Sequence, residues 1–130
     1  MHPEFDSPLC CGRTVHTTEG ARDAAALPFN AHPAFEGVCL KHVIGGQDTG
    51  GALSCHVVRV APGKALLRHV HDGQWELHEV VAGSGTAVID GAAVAYAPGV
   101  AAVIPKGLPH VVTAGPDGLV LFAKFFPALL

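Results

Sequence analysis

The chain has 130 residues, of which 49% are hydrophobic and 15% charged, with a net charge of −3. That balance excludes intrinsic disorder and a nucleic-acid footprint, and the length suits one domain with a real core. No apolar run reaches the roughly 18 residues needed to span a bilayer, and the N-terminus lacks the basic start and apolar stretch of a secretory signal.

Residues 1–35 carry little periodicity and are interrupted by Pro3, Pro8, Gly12, Gly20, Pro28 and Pro33. They read as an irregular N-terminal arm, with one short helical turn within Glu19–Leu27. From residue 36 to 130 the texture changes to short β-branched runs punctuated by Gly, Pro and Asp, the pattern of a sandwich or barrel. The expected strands are Val38–Ile44, Leu53–Val60, Leu66–His71, Glu76–Ala82, Thr86–Asp90, Ala93–Tyr96, Ala101–Ile104, His110–Ala114 and Leu119–Phe126. Asp90-Gly91 predicts a type I′ hairpin, because both central residues of that turn need positive φ. Gly83-Ser84-Gly85 predicts another tight turn. The fold class is therefore all-β.

Nine histidines are the unusual entry in the composition. Two of them, His69 and His71, stand two apart on an expected strand, so their side chains share a face. The Asp72-Gly73 turn then sends the chain back, and Glu76 opens the antiparallel return beside them. Two imidazoles and a carboxylate with positions left open make a metal arrangement. Further on, the turn Pro105-Lys106-Gly107 places His110 at the start of a strand, where it could complete the set.

These segments resemble the cupin superfamily. GKALLRHVHDGQWELHEVVAG fits the first cupin motif, G-x5-H-x-H-x4-E-x6-G, at Gly63, His69, His71, Glu76 and Gly83. GVAAVIPKGLPH fits G-x5-P-x-G-x2-H of the second, at Gly99, Pro105, Gly107 and His110; the Asn that usually follows four residues later is Ala114 here. The resemblance implies a double-stranded β-helix, a jelly-roll β-barrel over residues 36–130, of the small single-domain, conserved-barrel, RmlC-like kind. It also implies one divalent ion, Fe, Mn, Ni or Zn, held by His69, His71, Glu76 and His110. The expected function is a small-molecule metalloenzyme of dioxygenase, isomerase or lyase type; the alternative is a non-catalytic cupin that binds or senses a small ligand.

His78 shares the face of Glu76 and is expected to be the catalytic base. His56, Val80 and Val112 are expected to bind substrate, and inward alternation adds Leu66, Val88, Val103 and Phe122 to the pocket wall. His2, His16, His32 and His42 are expected on the surface or at an interface. The four cysteines form no disulfide pattern, and the chain is expected in the cytoplasm as reduced thiols, with the role of Cys10-Cys11 left open. Both faces of Leu53–Val60 are apolar, and so is the run LVLFAKFFPALL. These features predict a homodimer in which the arm or tail covers a partner's sheet.

Overall fold

The computed structural model describes residues 14–130, so Cys10 and Cys11 lie outside the described residues. Ten strands form: β1 (Thr14–Thr17), β2 (Gly20–Asp23), β3 (Asn30–Ala31), β4 (Val38–Ile44), β5 (Ser54–Val60), β6 (Ala65–His69), β7 (Trp75–Ile89), β8 (Ala92–Tyr96), β9 (Ala101–Ile104) and β10 (His110–Phe126). Two short 3-10 turns, Ala24–Ala26 and Gly46–Asp48, interrupt them.

The long strands β7 and β10 organise the rest. They pair antiparallel along most of their length, with register breaks at Ala114/Leu119 and Val120/Leu121. The second half of β10 also pairs β5, and the first half of β7 also pairs β9. This gives a first sheet in the order β9, β7, β10, β5, β4, β3. The other halves give a second sheet in the order β6, β10, β7, β8. The two sheets are thus joined through shared strands, as a jelly roll requires.

The segments Glu76–Ala82 and Thr86–Asp90 are therefore one bent strand, and so are His110–Ala114 and Leu119–Phe126. What reads as a tight turn at Gly83-Ser84-Gly85 is a corner. Glycine is needed there because two backbones cross closely: a Cβ on Gly83 would lie 2.1 Å from the Gly118 carbonyl oxygen, and one on Gly85 would lie 2.4 Å from that of Thr113. The Asp90-Gly91 turn forms as expected, with φ of 50° and 79°.

The core between the sheets contains Val38, Val58, Val60, Leu66, Val80, Tyr96, Val112, Leu119, Leu121 and Phe125. A second cluster lies on the outer face of the first sheet, where Val15, Ala24, Val43, Val57, Ala82 and Val120 pack with Leu27 and Phe29. The β1–β2 hairpin and the turn after it thus cover the apolar outer face of β5, so residues of this chain occupy the place that the sequence assigns to a partner subunit. Arg22 fixes the hairpin by pairing with Asp48 and donating to the Val43 carbonyl at 3.1 Å. No helix among the described residues is long and apolar enough to cross a membrane.

Candidate metal centre

His69 ends β6, Glu76 is the second residue of β7, and His110 opens β10. His71 lies just past β6, in the loop rather than on the strand. That loop is held by the second motif's turn, because the Gly107 amide donates to the His71 carbonyl at 2.9 Å. One potential ligand atom from each of the four side chains can be chosen so that all lie within 4.8 Å of one another. The ring centroids of His69 and His110 are 4.2 Å apart, and those of His69 and His71 are 5.1 Å apart.

Backbone carbonyls orient two of the rings. His69 Nδ1 donates to the Leu67 carbonyl at 2.6 Å and His110 Nδ1 to the Leu108 carbonyl at 3.2 Å. A carbonyl only accepts, so each ring carries a proton on Nδ1, and in the neutral ring the Nε2 lone pair is left for a ligand. Burial pushes the His69 pKa down to about 4 and lowers that of His71, which keeps their lone pairs available at neutral pH. Burial alone would raise the Glu76 carboxyl, but His78 and His110 outweigh it and hold it below the usual carboxylate range. Burial likewise opposes charge on His110, yet Glu76 raises its pKa.

The residues fit a metal. Among the described residues, Glu76 Oε1 and His110 Nε2 are the buried side-chain polar atoms without a hydrogen bond. They face each other at 3.2 Å, and Glu76 Oε1 is 3.8 Å from His71 Nε2. Two orphaned atoms of this kind carry a desolvation cost unless something binds both. A divalent ion taking nitrogen and carboxylate ligands would do so.

The other carboxylate oxygen is already engaged. His78 Nε2 lies 2.8 Å from Glu76 Oε2, and His78 Nδ1 lies 2.8 Å from the Tyr96 hydroxyl. An ionised carboxylate only accepts, so Nε2 donates to it, while Nδ1 pairs with the Tyr96 hydroxyl. Burial, with Glu76 nearby, raises the Tyr96 pKa, which keeps the hydroxyl proton in place. Replacing His78 by Phe is expected to weaken metal affinity by roughly 10- to 100-fold, because Oε2 loses its donor. His78→Gln, which can still donate, is expected to lose less. Competition with a chelator of known affinity measures both.

A cavity of about 80 Å³ opens from the centre. His56 borders it as expected, and so does Leu66, together with Leu40, Val58 and Phe125. Val80 and Val112 do not border it; they are buried in the core between the sheets. Val88 and Val103 point outward, 39% and 61% exposed, while Phe122 joins the outer cluster. The inward count slips by one at the β7 irregularity and the glycine corner, so Ala87, not Val88, faces in.

Two wall residues come from histidines expected on the surface. His32 stacks on Phe35 with centroids 4.5 Å apart, and His42 sits opposite His56 across the β4–β5 pair. The signal that finds His42 is strand register, which spacing along one segment does not contain.

Burial, then the neighbouring His42, pushes the His56 pKa down to about 4. The unfolded chain binds that proton near pH 6.5, so between pH 6.5 and 4 it gains a proton the folded chain does not. Stability of the metal-free chain should therefore fall as pH drops through this window, by on the order of 3 kcal/mol from His56, and level off below it. His69 and His71 act in the same direction and His110 in the opposite one. Urea unfolding at pH 7 and pH 4.5 reads the difference.

The model for a cupin domain matches residues 56–122. No curated protein matches the chain in sequence. Among solved structures, an RmlC-like cupin from Shewanella frigidimarina superposes with a TM-score of 0.73 at 17% identity, covering 90% of this chain and 96% of that one. A predicted oxalate decarboxylase from Thermotoga maritima gives 0.73 at 16% identity, with 80% and 96% covered. The polyketide cyclase RemF from Streptomyces resistomycificus gives 0.69 at 22% identity, with 82% and 77% covered. At these identities the likeness to the solved structures is one of fold. With its jelly roll, both motifs and the domain match in agreement, the chain belongs to the cupin family.

Proposed function

We propose that the chain is a metal-dependent enzyme acting on a small oxygen-bearing molecule, with one divalent ion held by His69, His71, Glu76 and His110. The observation that carries this reading is the buried, unpaired couple of Glu76 Oε1 and His110 Nε2, beside a cavity that Glu76, His69 and His71 line. A bound ion would supply Lewis acidity or oxygen activation. The chain's own residues exclude water, orient the ligand atoms and line an apolar chamber. The structural neighbours include a predicted decarboxylase and a cyclase, and a shared fold does not choose between such reactions. His78, expected from the sequence as a base, is proposed instead as the residue that positions Glu76, since both its ring nitrogens are engaged.

That same engagement favours a second reading, a cupin that binds a small ligand without turnover, because it takes His78 out of the role of free base. The test is metal content of protein purified without chelator or His-rich tag, followed by turnover assays of the loaded protein with small oxo and hydroxy acids. Stoichiometric metal with turnover supports the enzyme, ligand binding without turnover supports the second reading, and protein that cannot be loaded with metal defeats the enzyme.

We further propose a reducing, cytoplasmic setting, supported by the free thiols of Cys39 and Cys55. A second copy of the chain is the proposed partner, supported by the exposed Leu67, Trp75 and Val103. Sedimentation at micromolar concentration should show a dimer; a monomer would defeat it.

A further inference from the structure

The cavity has a second polar end that the metal reading does not use. His42 Nδ1 and His56 Nδ1 lie 2.9 Å apart, and His56 Nε2 lies 2.8 Å from Ser54 Oγ. The Leu129 amide reaches the same Ser54 Oγ at 2.9 Å. Phe125 separates this end from the ligand cluster, with its ring 5.5 Å from His56 on one side and 5.0 Å from His71 on the other.

The chain of contacts has one fully satisfied polarity. An amide only donates, so Leu129 N–H gives to Ser54 Oγ. Ser54 is wholly buried, and its own proton needs an acceptor, for which His56 Nε2 is in place. His56 then carries its proton on Nδ1 and donates to His42 Nδ1. A neutral His42 accepting there must carry its proton on Nε2. Burial of His56 favours its neutral form, in keeping with this arrangement. His42 Nε2 has no hydrogen bond among the described residues, and it is not one of the shut-off unpaired atoms. His42 borders the cavity.

We propose that Ser54, His56 and His42 form a polarised relay that presents an N–H donor from His42 to an acceptor oxygen of the bound molecule, remote from the metal. The ligand class is then a small bifunctional molecule. It has an oxygen-donor head for the ion, a short apolar middle against Phe125, and a carboxylate or carbonyl oxygen at the far end. The ligand assignment rests on the metal reading; the polarity of the relay does not.

Two probes share one chelating head. Acetohydroxamate ends in a methyl group, and succinate monohydroxamate ends in a carboxylate. Titrated into zinc-loaded protein, the second is expected to bind roughly 10- to 100-fold tighter, the usual size of a hydrogen bond to a charged group. His42→Phe should remove that advantage and leave acetohydroxamate affinity and zinc stoichiometry unchanged. Equal affinity of both probes in the unmodified protein, or an advantage that survives His42→Phe, overturns the proposal. The metal-free chain supplies an independent measurement, the imidazole nitrogen–proton NMR spectrum. Nε2–H on His42 with Nδ1–H on His56 supports the relay, and the reverse pair of tautomers overturns it. A chain that binds no zinc defeats the metal reading alone, and the spectrum then decides the relay.

Discussion

Replacing His71 by Ala should reduce divalent metal to well below one ion per chain, while the fold survives. His71 sits in a loop, half-buried, and its carbonyl rather than its side chain holds the Gly107 turn. Its removal therefore takes away one ligand without opening the core. Three donors would remain, and affinity would fall because geometry and ligand number both set it. The measurement is metal per chain after dialysis, with circular dichroism as the control for folding. Full occupancy in the variant would remove His71 from the ligand set.

The second large effect is on the fold itself. Gly83→Ala should destabilise the chain by about 3 kcal/mol or more. Gly83 has φ of 75°, and the added Cβ would meet the Gly118 carbonyl at 2.1 Å and 2.8 Å from its oxygen and carbon. Both are backbone atoms of the crossing strand, so relief requires moving β10. Gly91→Ala is the comparison, because Gly91 also has positive φ but nothing lies within 4 Å of its added Cβ. That variant should lose about 1 kcal/mol, the conformational part alone. Denaturant midpoints of the two, at equal slope, separate the clash from the φ penalty. Equal losses would mean that the corner relaxes freely.

The candidate ligand group was legible because the motif spacing acts within short segments; the strand period did not decide His71, which falls in the loop past β6, yet the short turn to β7 still brings His69, His71 and Glu76 together. The strands Val38–Ile44 and Ala101–Ile104 were legible for the same reason, since alternation and turn residues bound them. Fusion of the short runs into β7 and β10 was not, because glycine marks a corner as readily as a turn. What separates the two is the crossing strand, visible at Gly83 and Gly118 and absent from either segment. His42 escaped notice on similar grounds, as its partner His56 arrives through β4–β5 register. The β1–β2 hairpin escaped because Thr14–Asp23 offers one buried residue, Val15, and no apolar alternation to read.

The glycine corner also bears on where a bound ion would act on the fold. The two sheets meet at Gly83 and Gly118 like the leaves of a hinge, and Glu76 of one leaf faces His110 of the other at the opposite end. A bridge between those two side chains is a clasp. Whatever binds both Glu76 and His110 ties the two leaves at the end remote from the corner, and a ligand that does so only in the folded chain stabilises it.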